Sequence, residues 1–167
     1  GAFCDIGCGI IALLPIDAIS VSRISHPRDR FSPGADIRVI LRDIAEDGKI
    51  TLSHKELLGT WEENAAAFSP GQTVTGVIRS IEEYGVFVEL TPNLAGLAEP
   101  RSDVFIGQQA SVYIKSILPE KMKIKLIVID SFDSSYTTPI HYFYTDDRIC
   151  EWDYSPQLCR KKICSNF

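Results

Sequence analysis

The chain contains two copies of one short pattern, and this internal repeat constrains its fold more than any other feature. Residues 1–6 have the sequence GAFCDI, and residues 85–90 have the sequence GVFVEL. Two further pairs of blocks match, namely 33–39 with 106–112 and 49–52 with 123–126. The offset falls from 84 residues at Gly1 and Gly85 to 73 residues at Gly34 and Gly107, so the second copy is shorter. The repeat predicts two units of one fold.

In both copies, a phenylalanine falls on the polar side of an alternating strand. Phe3 shares a face with Asp5, and Phe87 shares a face with Glu89, while their apolar neighbours point the other way. An aromatic ring on a polar face has little to pack against. Such a ring is a candidate platform for stacking a planar ligand, and it is the best indication of function in this sequence.

Length and charge limit the class of protein. The 167 residues suit one or two small domains. Because 17 Lys and Arg face 22 Asp and Glu, with a net charge of −5, any nucleic-acid site has to be a local basic patch. No apolar run is long enough to span a membrane, so we expect a cytoplasmic protein without membrane contact.

The cysteine pattern favours free thiols over a metal site. The chain has an odd number of cysteines, without any C-x2-C pair: Cys4, Cys8, Cys150, Cys159 and Cys164. Reduced thiols are the expected state, and zinc binding is the less favoured alternative. We therefore expect neither a metal nor a cofactor.

The second copy has the pattern of a small closed β-barrel. Five short apolar stretches separated by turn residues lie at 72–81, 85–90, 94–98, 110–117 and 122–129. Short strands with glycine bends and no long helix are typical of five-stranded barrels. The first copy begins at the counterpart of the second of these strands. It predicts the same barrel without its first strand and with an open edge.

The remaining segments predict a helical connector and a C-terminal extension. Leu57, Leu58, Trp61 and Ala65 recur at helical spacing, which predicts one short amphipathic helix over 54–67 with Trp61 as its core anchor. The aromatic-rich extension has a turn signal at Asp146-Asp147, which predicts a hairpin between 140–144 and 148–153. The predicted division is a truncated barrel (1–53), a connector (54–68), a compact barrel (69–130) and the extension (131–167).

Residues 76–97 and their first-unit counterparts resemble the S1 motif, the OB-fold RNA-binding domain repeated in bacterial ribosomal protein S1. The blocks that carry the resemblance are Gly76–Leu90 and Gly96-Leu97 in the second unit. In the first unit they are Gly1–Phe3, Leu14-Pro15, Pro33-Gly34 and Lys49–Ser53. The connector 52–62 is also similar to the link between successive domains of that ribosomal protein. The resemblance covers about residues 1–130 and implies an all-β fold of two five-stranded OB barrels, the first lacking its first strand.

The resemblance implies a role in binding single-stranded RNA, either mRNA or rRNA, in translation or on the ribosome. Family positions for stacking aromatics and basic contacts correspond to Phe3, Lys49, Tyr84, Phe87, Lys121 and Lys123. Stacking on aromatic side chains suits single strands because every base has a π-face. No Gly-rich phosphate loop, catalytic carboxylate pair or nucleophile motif is present, so we expect no enzymatic activity and no catalytic residue.

Two features favour a rival hypothesis, a protein-docking module: the net charge of −5 and the loss of the histidine of the family's site. The histidine of the family's site is absent, and Glu99 and Pro15 occupy roughly its places. An acidic group on an RNA face repels phosphate. In this alternative, the open edge of the first unit recruits a partner strand.

Two basic clusters have more than one interpretation. Arg23, His26, Arg28 and Arg30 lie in one loop, which predicts either a phosphate contact or a surface loop held by ion pairs. Lys121, Lys123 and Lys125 alternate with apolar residues and line one exposed strand face. That face is either an RNA-backbone contact or an ordinary solvated surface.

Overall fold

The computed structural model describes all residues, Gly1–Phe167, and consists mostly of short β-strands. The first unit contains β1 (Ala2–Asp5), β2 (Ile11–Leu14), β3 (Ile40–Ile44) and β4 (Ile50–Ser53). The connector contains α1 (Trp61–Ala65). The second unit contains β5 (Thr73–Glu82), β6 (Gly85–Thr91), β7 (Leu94–Ala98), β8 (Gln109–Leu118) and β9 (Lys123–Phe132). The extension contains β10 (Glu151–Asp153) and β11 (Cys164–Asn166). Short 3-10 turns lie at Ile16–Ala18, Pro27–Asp29, Lys55–Leu58 and Pro119–Lys121.

The second unit is a closed barrel with strand order β5-β6-β7-β9-β8, in which β5 also pairs with β8. All pairings are antiparallel except that of β7 with β9. Val86 and Val88 point into the barrel and are fully buried. Gly76 lets β5 bend over this core, because a Cβ there would lie 2.5 Å from Val88 Cγ1. The predicted five-stranded barrel is therefore present in this half of the chain.

The first unit has the same strand order, β1-β2-β4-β3, but forms an open sheet. In the second unit, residues 109–112 pair with β5. Their counterparts at 36–39 belong to no strand, since no neighbouring strand supplies hydrogen-bond partners there. The alternating pattern over 35–44 thus becomes a strand only from Ile40, where pairing with β4 begins.

The connector is not the single helix that the spacing predicts. It forms the 3-10 turn Lys55–Leu58 and then the short helix α1, with Gly59 between them at a φ of +91°. That backbone conformation interrupts a helix, and Thr60 starts a new one by a capping box with Glu63. Trp61 is buried, as its position on the apolar face predicts.

The predicted hairpin in the extension is wrong. Residues 140–144 form no strand, and β10 pairs instead with β11, with Trp152 opposite Ser165. The backbone N–H of Phe143 donates to the Leu57 carbonyl at 2.9 Å, so residues near 143 lie against the connector. Trp152 and Tyr154 are buried in the core of the second unit, and this packing sets the path of the extension.

The hydrophobic core is unequally divided. One cluster of 18 buried residues joins the second unit, α1 and the extension, while a separate cluster of 5 lies in the first unit. The first unit therefore has a much smaller core of its own, and its residues Val21 and Ile40 pack against the larger cluster. The five cysteines are unpaired, and no helix is both long and apolar enough to cross a membrane.

Candidate nucleic-acid interface

Two aromatic side chains lie together where β5 turns into β6. Tyr84 is in the turn and is 65% exposed, and Phe87 is on the outward face of β6 and partly buried. Their ring centroids are 6.1 Å apart and the rings are nearly perpendicular, at 85°. This edge-to-face pairing holds both rings at the surface of the barrel.

The strand register extends this aromatic pair into a row across the barrel. Phe87 lies opposite Leu97 on β7, and Leu97 lies opposite Lys125 on β9. Since adjacent strands are about 4.8 Å apart, the backbones of Phe87 and Lys125 are separated by roughly 10 Å. The row therefore presents a ring, an aliphatic side chain and an exposed cation in that order.

Lys121 and Lys123, the two lysines assigned to the site by family resemblance, lie further from Phe87 than Lys125 does. Lys123 is on the same outward face as Lys125, two residues earlier on β9, which is a separation of roughly 7 Å. Lys121 is in the 3-10 turn before β9 and is more distant still. The sequence prediction noted Lys125 only as part of an exposed face, because the parallel pairing of β7 with β9 cannot be deduced from a single sequence.

The first unit has an equivalent row with different side chains. Phe3 lies opposite Leu13, and Leu13 lies opposite Thr51. Phe3 is 79% exposed and forms no ring pair of the kind that joins Tyr84 and Phe87. Lys49 is also exposed, with its Nζ 3.8 Å from Asp47 Oδ2. The first unit thus keeps the ring and the aliphatic residue of the row, and has a threonine in place of the cation.

A buried ionic cluster, not expected from the sequence, lies next to the row in the second unit. The guanidinium of Arg30 donates two hydrogen bonds to the Glu89 carboxylate, at 2.8 and 2.5 Å. Arg79 donates a third bond at 3.2 Å, and the hydroxyl of Thr138 donates a fourth at 2.6 Å. We call these four residues the Glu89 cluster. It joins the first unit, the second unit and the extension.

Two opposing effects act on the charge of Glu89. Burial by itself raises the pKa of the Glu89 carboxyl, but the hydrogen bonds and positive charges of Arg30 and Arg79 outweigh burial, so this pKa lies below its ordinary value. The carboxylate stays ionised and the pair stays intact. Arg30 is therefore neither a phosphate contact nor part of a surface loop, the two roles that its loop suggested.

A second junction centres on His54, whose ring is fully buried. Its Nδ1 lies 2.6 Å from the carbonyl oxygen of Ile19, which can only accept, so Nδ1 carries the proton. Its Nε2 then accepts from the Tyr142 hydroxyl at 3.0 Å. Burial lowers the pKa of His54 to about 4. His54 links the first unit to the extension.

The acidic residue near the expected histidine position stands at the surface. Glu99 follows β7, and its carboxylate is 3.9 Å from Lys115 Nζ, with both side chains exposed. A pair of this kind is screened by solvent and leaves Glu99 able to repel an approaching phosphate.

Comparison with known proteins identifies the class. The chain is 32% identical to the small ribosomal subunit protein bS1 homolog of Bacillus subtilis over 135 residues, 78% of this chain and 34% of that protein. It is 29% identical to the small ribosomal subunit protein bS1 of Leuconostoc lactis over 140 residues, 75% of this chain and 32% of that protein. No protein-family model matches the chain.

A third relative has an enzyme name. The chain is 31% identical over 141 residues to a 4-hydroxy-3-methylbut-2-enyl diphosphate reductase of Clostridium tetani, covering 77% of this chain and 22% of that protein. The chain spans about a third or less of the length of these curated relatives. The relatives and the closed five-stranded barrel confirm the resemblance found in the sequence: this is an S1-like domain protein.

Proposed function

We propose that this chain is a non-enzymatic, cytoplasmic RNA-binding protein that acts in translation or on the ribosome. In this proposal, its units follow the predicted division at residues 1–53, 54–68, 69–130 and 131–167. Single-stranded RNA stacks on Tyr84 and Phe87 of the second unit, and lysines of β9 contact its phosphates. Phe3 and Lys49 of the first unit form a weaker second site.

One observation supports this proposal above the others. Two aromatic rings are held at 6.1 Å from each other at the surface of a closed barrel, and exposed lysines lie two strands away on the same sheet. Exposed aromatic side chains next to cations are what single-strand binding requires, because stacking contributes about 1–3 kcal/mol per base. The named ribosomal relatives support the same class of ligand.

A salt titration tests the proposal. The affinity of the chain for a fluorescent oligouridylate is measured at several salt concentrations. For single strands, the logarithm of the binding constant should fall with the logarithm of salt, with a slope of about −0.7 per phosphate contact. Absence of binding at low salt, or binding with no salt dependence, would contradict the proposal.

A groove in the first unit favours a second candidate, protein docking. Its volume is about 790 Å³, and it lies between β1 and the segment 35–39. In the second unit, β5 fills the equivalent place by pairing with both neighbours. An extended peptide with the alternation of β5 could therefore pair with both edges. A synthetic peptide with the sequence of residues 72–82 should then bind, whereas a scrambled peptide should not.

A further inference from the structure

The Glu89 cluster limits where a ligand can lie on the second unit. Glu89 is two residues after Phe87 on β6 and points to the same outward face. Its carboxylate is nevertheless fully buried, because Arg30 from the first unit and Thr138 from the extension cover it. The backbone of the Pro27–Asp29 turn lies over the same place, with the Asp29 carbonyl 3.5 Å from Arg79 Nη2.

The outward face of β6 is therefore divided into two parts. The part at Glu89 is filled by protein, and its two unpartnered donors, the Nε atoms of Arg30 and Arg79, are buried away from an approaching phosphate. The part at Phe87 and Tyr84 is not covered: Tyr84 is exposed and Phe87 is partly buried. A ligand that stacks on Phe87 cannot continue along β6 over Glu89, so it has to leave across the neighbouring strands.

The register of β6, β7 and β9 shows which residues lie along this direction across the strands. From Phe87, the row crosses Leu97 and reaches Lys125, which is exposed and forms no ion pair within 4.0 Å. Lys123 belongs by register to the next row, that of Ala95 and Glu89. The nearest uncovered cation along the open row is thus Lys125.

We propose that RNA crosses the second unit along the row Phe87–Leu97–Lys125, with a base stacked at Phe87 and a phosphate at Lys125, and that the Glu89 cluster closes the site on its other side. This inference rests on the proposed RNA-binding function and adds the path and the extent of the bound strand. A site closed on one side holds few nucleotides, near the lower end of the range of about 4–16 known for this class of barrel.

The charge at Lys125 is tested in the whole chain by four variants. Lys125→Ala should lower affinity for oligouridylate about fivefold at 0.1 M salt and reduce the salt slope by about 0.7, the effect of one phosphate contact. Lys125→Arg should restore both quantities. Lys161→Ala, which removes an exposed lysine of the extension, should change neither. Lys123→Ala should have a smaller effect than Lys125→Ala.

The extent of the site is tested by length. Affinity should rise with oligonucleotide length up to about four nucleotides and then stay level, apart from the statistical gain of longer strands. Two results would contradict the proposed path of the RNA without contradicting RNA binding itself. One is a salt slope in Lys125→Ala equal to that of the wild-type chain. The other is affinity that keeps rising steeply well beyond four nucleotides. If the wild-type chain binds no oligonucleotide at all, the proposed function and the path are both wrong.

Discussion

The two units have one strand order and one outward row, yet they differ in how each is completed. The second unit closes on itself through the pairing of β5 with β8, and its core is shared with α1 and the extension. The first unit is an open sheet over a small core. Closure lets the second unit hold Tyr84 and Phe87 at fixed positions. The first unit is also bound to the rest of the chain at the junction, through the hydrogen bonds of Arg30 to Glu89 and of His54 to Tyr142.

The largest expected effect tests whether the Glu89 cluster joins the two units. Glu89→Gln keeps the side-chain volume but leaves Arg30 and Arg79 buried without a counter-charge. Because breaking a buried ion pair from one side costs about 3–5 kcal/mol, the free energy of unfolding in urea should fall by that amount. Lys115→Ala, at an exposed pair with Glu99, should change it by no more than about 0.5 kcal/mol. A loss below about 1 kcal/mol for Glu89→Gln would mean that the units are held together elsewhere.

A pH titration tests the second junction. The pKa of His54 is about 4 in the folded chain and 6.5 ordinarily, so the unfolded chain takes up the proton first as pH falls. The contribution of neutral His54 to the free energy of unfolding is fully present above about pH 6.5. It is lost as the pH falls towards 4, by on the order of 3 kcal/mol. The variant His54→Asn keeps a donor for Ile19 but should lose this dependence between pH 6.5 and 5. An equally steep dependence in the variant would assign the titration to another group.

A smaller effect compares the loops that precede β3 and β8. Gly34 and Gly107 are counterparts, with φ values of +83° and +93° and open space around both. Alanine is strained there by about 1–2 kcal/mol. Gly107→Ala should show this cost in full, because the Gly107 N–H is bound to the Ile78 carbonyl at 2.7 Å. Gly34→Ala should lower the free energy of unfolding by less, since the segment 36–39 pairs with no strand and can adjust its backbone. Equal costs would indicate that the first unit is as rigid as the second.

The parts of the fold that depend on local pattern were predictable. Alternation and turn residues located β6 and β7 closely, and the repeat predicted that both units share one strand order. The connector was mispredicted because helical spacing says nothing about the left-handed backbone at Gly59. The hairpin of the extension was mispredicted because Trp152 packs into a distant core, which outweighs a local turn signal.

The candidate site was predictable only in part, because contacts between residues that are distant in the sequence leave no local signal. Tyr84 and Phe87 followed from the motif and lie together. The contact between Arg30 and Glu89 joins residues 59 positions apart, and no local signal marks it. Lys125 needed the parallel register of β7 with β9 before it could be distinguished from Lys121 and Lys123.

The most direct test of the account compares the aromatic residues of the two units in one titration. Fluorescent oligouridylate is titrated with the wild-type chain, with Tyr84→Ala/Phe87→Ala and with Phe3→Ala, after circular dichroism has established that all three are folded. The double variant should lose at least about 1 kcal/mol of binding free energy for each base that no longer stacks, and Phe3→Ala should lose distinctly less. Unchanged affinity in the folded double variant, or a larger loss in Phe3→Ala, would contradict the assignment of the site to the second unit.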